Sequence, residues 1–259
     1  MIDIGVNLTS TRFDKDREEV VTAALSSGLN HLMITGTTVA ESEQALALAN
    51  ANTKFLSATA GVHPHYADHV APDYLDVLAE LARSPQVKAI GECGLDFNRN
   101  FSAPAQQANV FREQVQLASR LALPLFLHQR DAFEDWLAIL KPYIDQVPAM
   151  VAHCFTGNEQ ELIQCVENGI YIGITGWVCD ERRGAELQAA VRALPLEYLM
   201  IETDAPYLTP RTIRPRPKSS RNEPKYLRYV AEQIAELKQV DVDEVIAIST
   251  ANAKKVFSL

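Results

Sequence analysis

A chain of 259 residues with 47% hydrophobic and 22% charged side chains holds enough apolar material for a sizeable core and too much for a disordered segment. Its 33 acidic residues outnumber 24 basic ones, and the net charge of −9 excludes a protein that coats nucleic acid through bulk positive charge. The opening Met1-Ile-Asp-Ile-Gly lacks the basic and apolar stretches of a secretion signal, no apolar run reaches the roughly 20 residues of a membrane helix, and Cys93, Cys154, Cys165 and Cys179 show no CxxC spacing. These features predict a cytoplasmic protein with reduced thiols.

In chain order, eight short β-rich runs alternate with segments of helical period. The predicted strands are Ile2–Val6, His31–Thr35, Leu56–Val62, Val87–Gly91, Leu125–His128, Met150–His153, Tyr171–Thr175 and Tyr198–Glu202. Between them the apolar spacing becomes helical, as in Phe111, Val115, Ala118 and Ala122 or in Leu227, Val230, Ala231 and Ile234. Pro104 and Pro224 stand where a first helical turn tolerates proline, Gly28 and Gly169 where helices stop, and a last helix covers Val242 to Phe257. Eight strand–helix units in sequence predict a single (β/α)8 barrel domain over residues 1–259 rather than a doubly wound open sheet. A Pro-, Arg- and Ser-rich loop from Pro206 to Glu223 follows the eighth strand.

In such a barrel the last residues of each strand reach the C-terminal face, where active sites lie. Polar, metal-capable side chains stand at that place five times: His63, Glu92, His128, His153 and Asp204. One such residue is more often a hydrogen-bonded strand end; five suggest a site. Imidazole and carboxylate donors suit Zn²⁺, Mn²⁺ or Fe²⁺, and an ion so held generates a hydroxide nucleophile. Asp204, before Ala205-Pro206, is the candidate base. Cys93 and Cys154 directly follow Glu92 and His153, and because neighbouring strand residues point to opposite faces, both cysteines are expected to turn away from the metal. His65 is expected to line the mouth, with His31 and His69 as bystanders. Arg99 and Arg130 follow ligand-bearing strands, and seven basic residues run from Arg211 to Arg228 against one acid, Glu223. A basic rim beside a metal suits a phosphate backbone.

The runs Gly61-Val-His-Pro64, Gly91-Glu-Cys-Gly-Leu-Asp96, His128-Gln-Arg-Asp131, His153-Cys-Phe-Thr-Gly157, Glu202-Thr-Asp-Ala-Pro-Tyr207 and Arg221-Asn-Glu-Pro224 resemble those of the TatD family of metal-dependent DNases, in the amidohydrolase superfamily. The likeness runs from Asp3 to the last helix. It implies a (β/α)8 barrel and removal of nucleotides from the 3′ end of single-stranded DNA or RNA with Mg²⁺, in DNA repair or turnover. It implies the firmest metal ligands at Glu92, His128 and His153, a conserved aspartate at Asp204 that joins the metal set as well as serving as base, and a histidine assisting at the phosphate at His63. Substrate contacts are expected at Arg221, Asn222, Arg130, Arg99 and His65, in a monomer. Many members carry a His-x-His pair on the first strand; here that place reads Gly5-Val-Asn7, so one firmly held ion is expected rather than two. Two rivals stand beside this reading: a metal hydrolase of amides, esters or aminoacyl bonds, and a noncatalytic barrel with a structural metal. The basic loop argues against the first, and a donor set leaving room for water argues against the second.

Overall fold

The computed structural model describes residues 1–259. One eight-stranded sheet has the order of the chain: β1 (Ile2–Val6), β2 (His31–Ile34), β3 (Leu56–Ala60), β4 (Val87–Asp96), β5 (Leu125–Arg130), β6 (Met150–Ala152), β7 (Ile170–Ile174) and β8 (Leu199–Ile201). Between consecutive strands lie α1 (Arg17–Ser26), α2 (Val39–Ala51), α3 (Tyr74–Leu81), α4 (Pro104–Leu121), α5 (Phe133–Leu140), α6 (Glu159–Glu167) and α7 (Ala185–Ala193), and α8 (Leu227–Lys238) and α9 (Val242–Phe257) follow β8. A parallel bridge from Val6 to Ala205 joins the exits of the first and last strands. This is the (β/α)8 fold class. No helix is long and apolar enough to cross a membrane. The chain divides into two compact units, Ile34–His153 with Asn168–Ile170, and Met1–Met33 with Cys154–Glu167 and Tyr171–Leu259.

In the unit Ile34–His153, β3, β4 and β5 pair in parallel, with cores such as Ala58, Ala60, Ile90, Phe126 and Leu127 fully buried. The helix α4 begins with Pro104 in its first turn and buries Val110, Phe111, Val115, Leu117 and Ala118 along one stripe. Two polar residues interrupt that stripe. Gln114 accepts from the Val62 amide at 2.8 Å and donates to its carbonyl at 3.0 Å, while Gln107 accepts from the Asp96 amide at 2.8 Å and donates to the Asp96 carbonyl at 3.1 Å. Buried backbone groups left unpaired would each cost about 1–3 kcal/mol. The two glutamines, seven residues apart on one helical face, therefore fix the chain as it leaves β3 and β4.

Three predicted strand ends are corrected here. The third strand stops at Ala60, because Gln114 rather than a neighbouring strand takes the Val62 peptide groups. The fourth runs five residues past Gly91, to Asp96, pairing Gly94 with His128 and Asp96 with Arg130, and the fifth extends with it to Arg130. Glycine is required at this seam: Gly94 has φ +150°, and a Cβ there would lie 1.8 Å from the His128 carbonyl oxygen.

In the other unit, α8 buries Leu227, Val230, Ala231, Ile234 and Ala235, the predicted helical stripe. The last helix covers the predicted Val242–Phe257, capped by Asp241, whose side chain accepts from the Asp243 amide. Its Asn252 donates to the carbonyls of Leu196 and Leu199 at 2.9 and 2.7 Å, fixing the entry to β8.

Candidate functional site

Glu92 is buried near the middle of β4, and three imidazoles converge on its Oε1. His63 Nε2 lies at 3.3 Å, His128 Nδ1 at 3.0 Å and His153 Nε2 at 3.0 Å. Each ring comes from a strand exit. His63 leaves β3 beyond the Gln114 clamp and caps a 3-10 turn, Pro64–His69, its Nδ1 accepting from the His65 amide at 3.1 Å. His128 lies on β5, where Gly94 lets β4 approach. His153 continues the ladder past β6, its amide donating to the Leu127 carbonyl at 2.9 Å and its ring stacked at 4.6 Å on Phe126.

Burial favours protonation of the Glu92 carboxyl, but the charges of His153 and His63 and hydrogen bonds from His128 and His153 outweigh it and hold the group well below the usual range. Burial pushes the His63 imidazole down to about 4, a shift that His128 and His65 reinforce and Glu92 opposes. His128 moves the other way: burial lowers it, yet Asp96 and Glu92 together raise it. Its Nε2 stands 3.4 Å from Asp96 Oδ2, too long for a good hydrogen bond, and is left buried without a hydrogen-bond partner.

Asp96 is a residue of this cluster that the sequence reading passed over. Its Oδ2 lies 2.7 Å from His65 Nε2, and its Oδ1 accepts from the amides of Asn98 and Arg99 at 3.1 and 2.9 Å. Burial raises its carboxyl, and the nearby His128 imidazole, with hydrogen bonds from the Arg99 amide and His65, pulls it below the ordinary range. His65, expected at the mouth, thus joins the cluster through Asp96. Of the expected arginines, Arg99 is exposed in the loop after β4, and Arg130 is half-buried, its Nε 3.6 Å from Asp131 Oδ1. Cys93 is fully buried outside the cluster, its thiol pushed up chiefly by burial and further by Glu92.

The ligand-capable atoms of His63, Glu92 and His128 all lie within 4.8 Å of one another. A buried carboxylate ringed by imidazoles, with one ring nitrogen unpartnered, has the donor chemistry a divalent ion needs. The residues fit such an ion.

In the other unit, Asp204 follows β8 with φ +51°, a left-handed conformation that aspartate tolerates better than most residues. Its amide donates to the Gly5 carbonyl at 2.9 Å, and its Oδ1 accepts from Asn7 Nδ2 at 2.8 Å. Asn7, at the place of the absent second histidine, turns its nitrogen to Asp204. The turn is gripped on both sides. Thr203 donates through its amide and hydroxyl to buried Asp3, at 2.9 and 2.5 Å, and Arg12 donates to the Pro206 carbonyl at 3.0 Å. Glu202 is buried, and its Oε1 accepts from the Cys154 amide.

The loop Pro206–Glu223 is irregular, as predicted, and two residues expected to contact substrate are engaged within the protein. Asn222 is fully buried: its Nδ2 donates to the Thr203 carbonyl at 2.9 Å, its amide to the Pro206 carbonyl at 3.0 Å, and its Oδ1 accepts from the Glu223 amide at 2.9 Å. Arg221 makes a bidentate pair with Asp16 at 2.8 and 2.6 Å, a further pair with Glu223 at 3.0 Å, and lies over the Phe13 ring. Its guanidinium is already neutralised by carboxylates. Arg211 pairs with Glu181, Lys225 with Glu223 and Arg228 with Glu232, so Arg214, Arg216 and Lys218 carry the exposed charge of the run. Asn222→Ala should therefore lower turnover and cost about 1–3 kcal/mol of stability for each buried group left unpaired, with oligonucleotide affinity unchanged. Weakened affinity at unchanged melting temperature would return Asn222 to the substrate surface.

The family described as TatD related DNase matches residues 2–258. The chain is 51% identical over 259 residues to a protein of Erwinia tasmaniensis named 3′-5′ ssDNA/RNA exonuclease TatD, covering 100% of both chains. It is 50% identical to the Escherichia coli protein of the same name, covering 100% of this chain and 99% of that one. Among solved structures, a hydrolase of the TatD family from Entamoeba histolytica superposes with a TM-score of 0.91 at 28% identity, covering 99% of this chain and 97% of that one. The Escherichia coli TatD homologue YJJV gives 0.90 at 28% identity, covering 100% and 98%. With the histidine-ringed Glu92, the Asp204 turn and this full-length match in hand, the chain belongs to the TatD family.

Proposed function

We propose that the protein is a metal-dependent phosphodiesterase, one catalytic domain over residues 1–259, that removes nucleotides from the 3′ end of single-stranded DNA and RNA. The observation that carries this reading is the convergence of three imidazole nitrogens on Glu92 Oε1 within 3.3 Å. Relatives about half identical end to end and named for that activity support it. A divalent ion, which we assign as Mg²⁺ with Zn²⁺ or Mn²⁺ accepted by the same donors, would supply Lewis acidity and make a water held there more acidic.

The protein's residues divide the remaining work. Glu92, His128 and His153 hold the ion. His63 has a different part: its Nδ1 accepts a backbone N–H, so the neutral ring carries its proton on Nε2 and is a donor to a phosphate oxygen rather than a lone pair for metal. Asp204 takes the proton of the nucleophile, its carboxylate oriented by Asn7. What supports this assignment is its place just past the C-terminal end of β8, the end of such a barrel where active sites lie. Exposed Arg99, Arg216 and Lys218, with half-buried Arg130, attract the phosphates. The four cysteines are thiols rather than disulfides, which suits the cytoplasm, and the enzyme works as a monomer, which sedimentation tests against its 28.7 kDa mass.

Purified protein with Mg²⁺, Mn²⁺ or Zn²⁺ on end-labelled single strands tests the reaction. A 5′ label should shorten through a ladder, and a 3′ label should leave at once as mononucleotide. The reverse pattern, or cuts in a closed circle, would overturn the polarity while leaving a metal hydrolase.

A further inference from the structure

Six large hydrophobic side chains are exposed, and they sort by kind. Leu25, Leu121 and Ile163 are aliphatic and lie on α1, α4 and α6, whereas Tyr66, Phe101 and Tyr207 are aromatic and lie on the chain that follows β3, β4 and β8. Aliphatic exposure scattered over outer helices is ordinary. Aromatic rings kept in water beyond the strand ends are not explained by packing.

Phe101 is the most exposed of the six, at 65%. Its place is nevertheless fixed. The next residue, Ser102, is buried, its hydroxyl donating to the His65 carbonyl at 2.9 Å and accepting from the Asp68 amide at 3.0 Å, while its carbonyl accepts from Gln107 at 2.8 Å. The Ala103 amide donates to Asp68 at 3.0 Å. The loop after β4 is thus fastened to the turn after β3 at the two residues that follow Phe101. The Phe101 ring meets His65 edge-on, with centroids 4.8 Å apart, and His65 in turn lies 4.2 Å from His63. An exposed ring, held still, stands two ring contacts from the imidazole that faces Glu92.

We propose that Phe101 is a nucleobase-stacking residue: an unpaired base next to the scissile linkage lies on its exposed face. This rests on the phosphodiesterase reading above and names how that site takes its substrate. Every base has a π-face, so stacking ignores sequence and does not distinguish ribose from deoxyribose. Inside a duplex both faces of a base are already covered by its neighbours, so the ring accepts single strands. The apolar ring adds affinity that salt does not screen, unlike the arginine and lysine contacts.

The test compares wild type, Phe101→Ala and Phe101→Trp, with melting temperature and metal content as folding controls. Substrates are single strands carrying either a normal base or an abasic residue at each of the last three positions. Phe101→Ala should lower kcat/KM on the normal strand by about fivefold to a hundredfold, and Phe101→Trp should retain it. An abasic residue at the stacked position should bring wild type down to the Phe101→Ala level and cost that variant nothing more. A separate binding readout uses 2-aminopurine in the strand, whose fluorescence wild type should quench and Phe101→Ala should not. Equal losses on base-bearing and abasic strands, or quenching that survives Phe101→Ala, would overturn the stacking role. A wild type that quenches the probe but cleaves no strand would instead overturn the nuclease reading and leave the stacking role standing.

Discussion

Glu92→Gln is expected to abolish turnover and strip the protein of its divalent ion. The amide keeps the shape of the side chain but removes the negative charge on which His63, His128 and His153 converge, and it brings N–H donors into a cluster already rich in them. Loss of an outer supporting group typically costs a metal site about 10–100-fold in affinity, and loss of a direct ligand costs more. Metal analysis and single-turnover assays on the same sample should fall together. A Glu92→Gln protein that keeps both its ion and its turnover would show that the histidine-ringed carboxylate is structural.

Asp204→Asn separates the proton acceptor from the ion. Asparagine is isosteric, adopts the left-handed backbone that Asp204 holds at φ +51°, and offers Asn7 an acceptor oxygen, so the turn should persist. What disappears is basicity, and turnover should fall by about 10²–10⁴-fold with metal content and melting temperature near wild type. Asp204→Ala is the poorer probe, because a residue with no polar side chain in that backbone region adds roughly 1–2 kcal/mol of strain. Unchanged turnover in Asp204→Asn would assign the residue to the architecture of the β8 exit.

Most of the fold is legible because each strand is a short apolar run ended by a polar or turn-forming residue. The same interruptions reveal His63, Glu92, His128 and His153, which the structure gathers on one carboxylate oxygen. Asp96 is hidden for a physical reason: Gly91 and Gly94 break the β-rich pattern just where β4 continues, so the strand appears to stop early. Alternation offers the missing signal, since Glu92, Gly94 and Asp96 fall on one face of an extended chain. The basic run misleads for the opposite reason. A sequence displays its charges but not their distant partners, and Asp16, which holds Arg221, lies 205 residues away. Asn222 shares that fate, its neighbours suggesting a surface loop while its amide is buried against Thr203.

The turn at Asp204 has a bearing on how the enzyme is made. The site histidines and Glu92 all lie between residues 63 and 153, so a growing chain has synthesised every one of them by residue 153 of 259. The turn instead draws its anchors from Asp3, Gly5 and Asn7 at one extreme and from Asn222 at the other, with some partners separated by 200 residues. Such long loops close late. A ribosome carrying this chain therefore presents the histidine-ringed carboxylate well before the Asp204 turn can close.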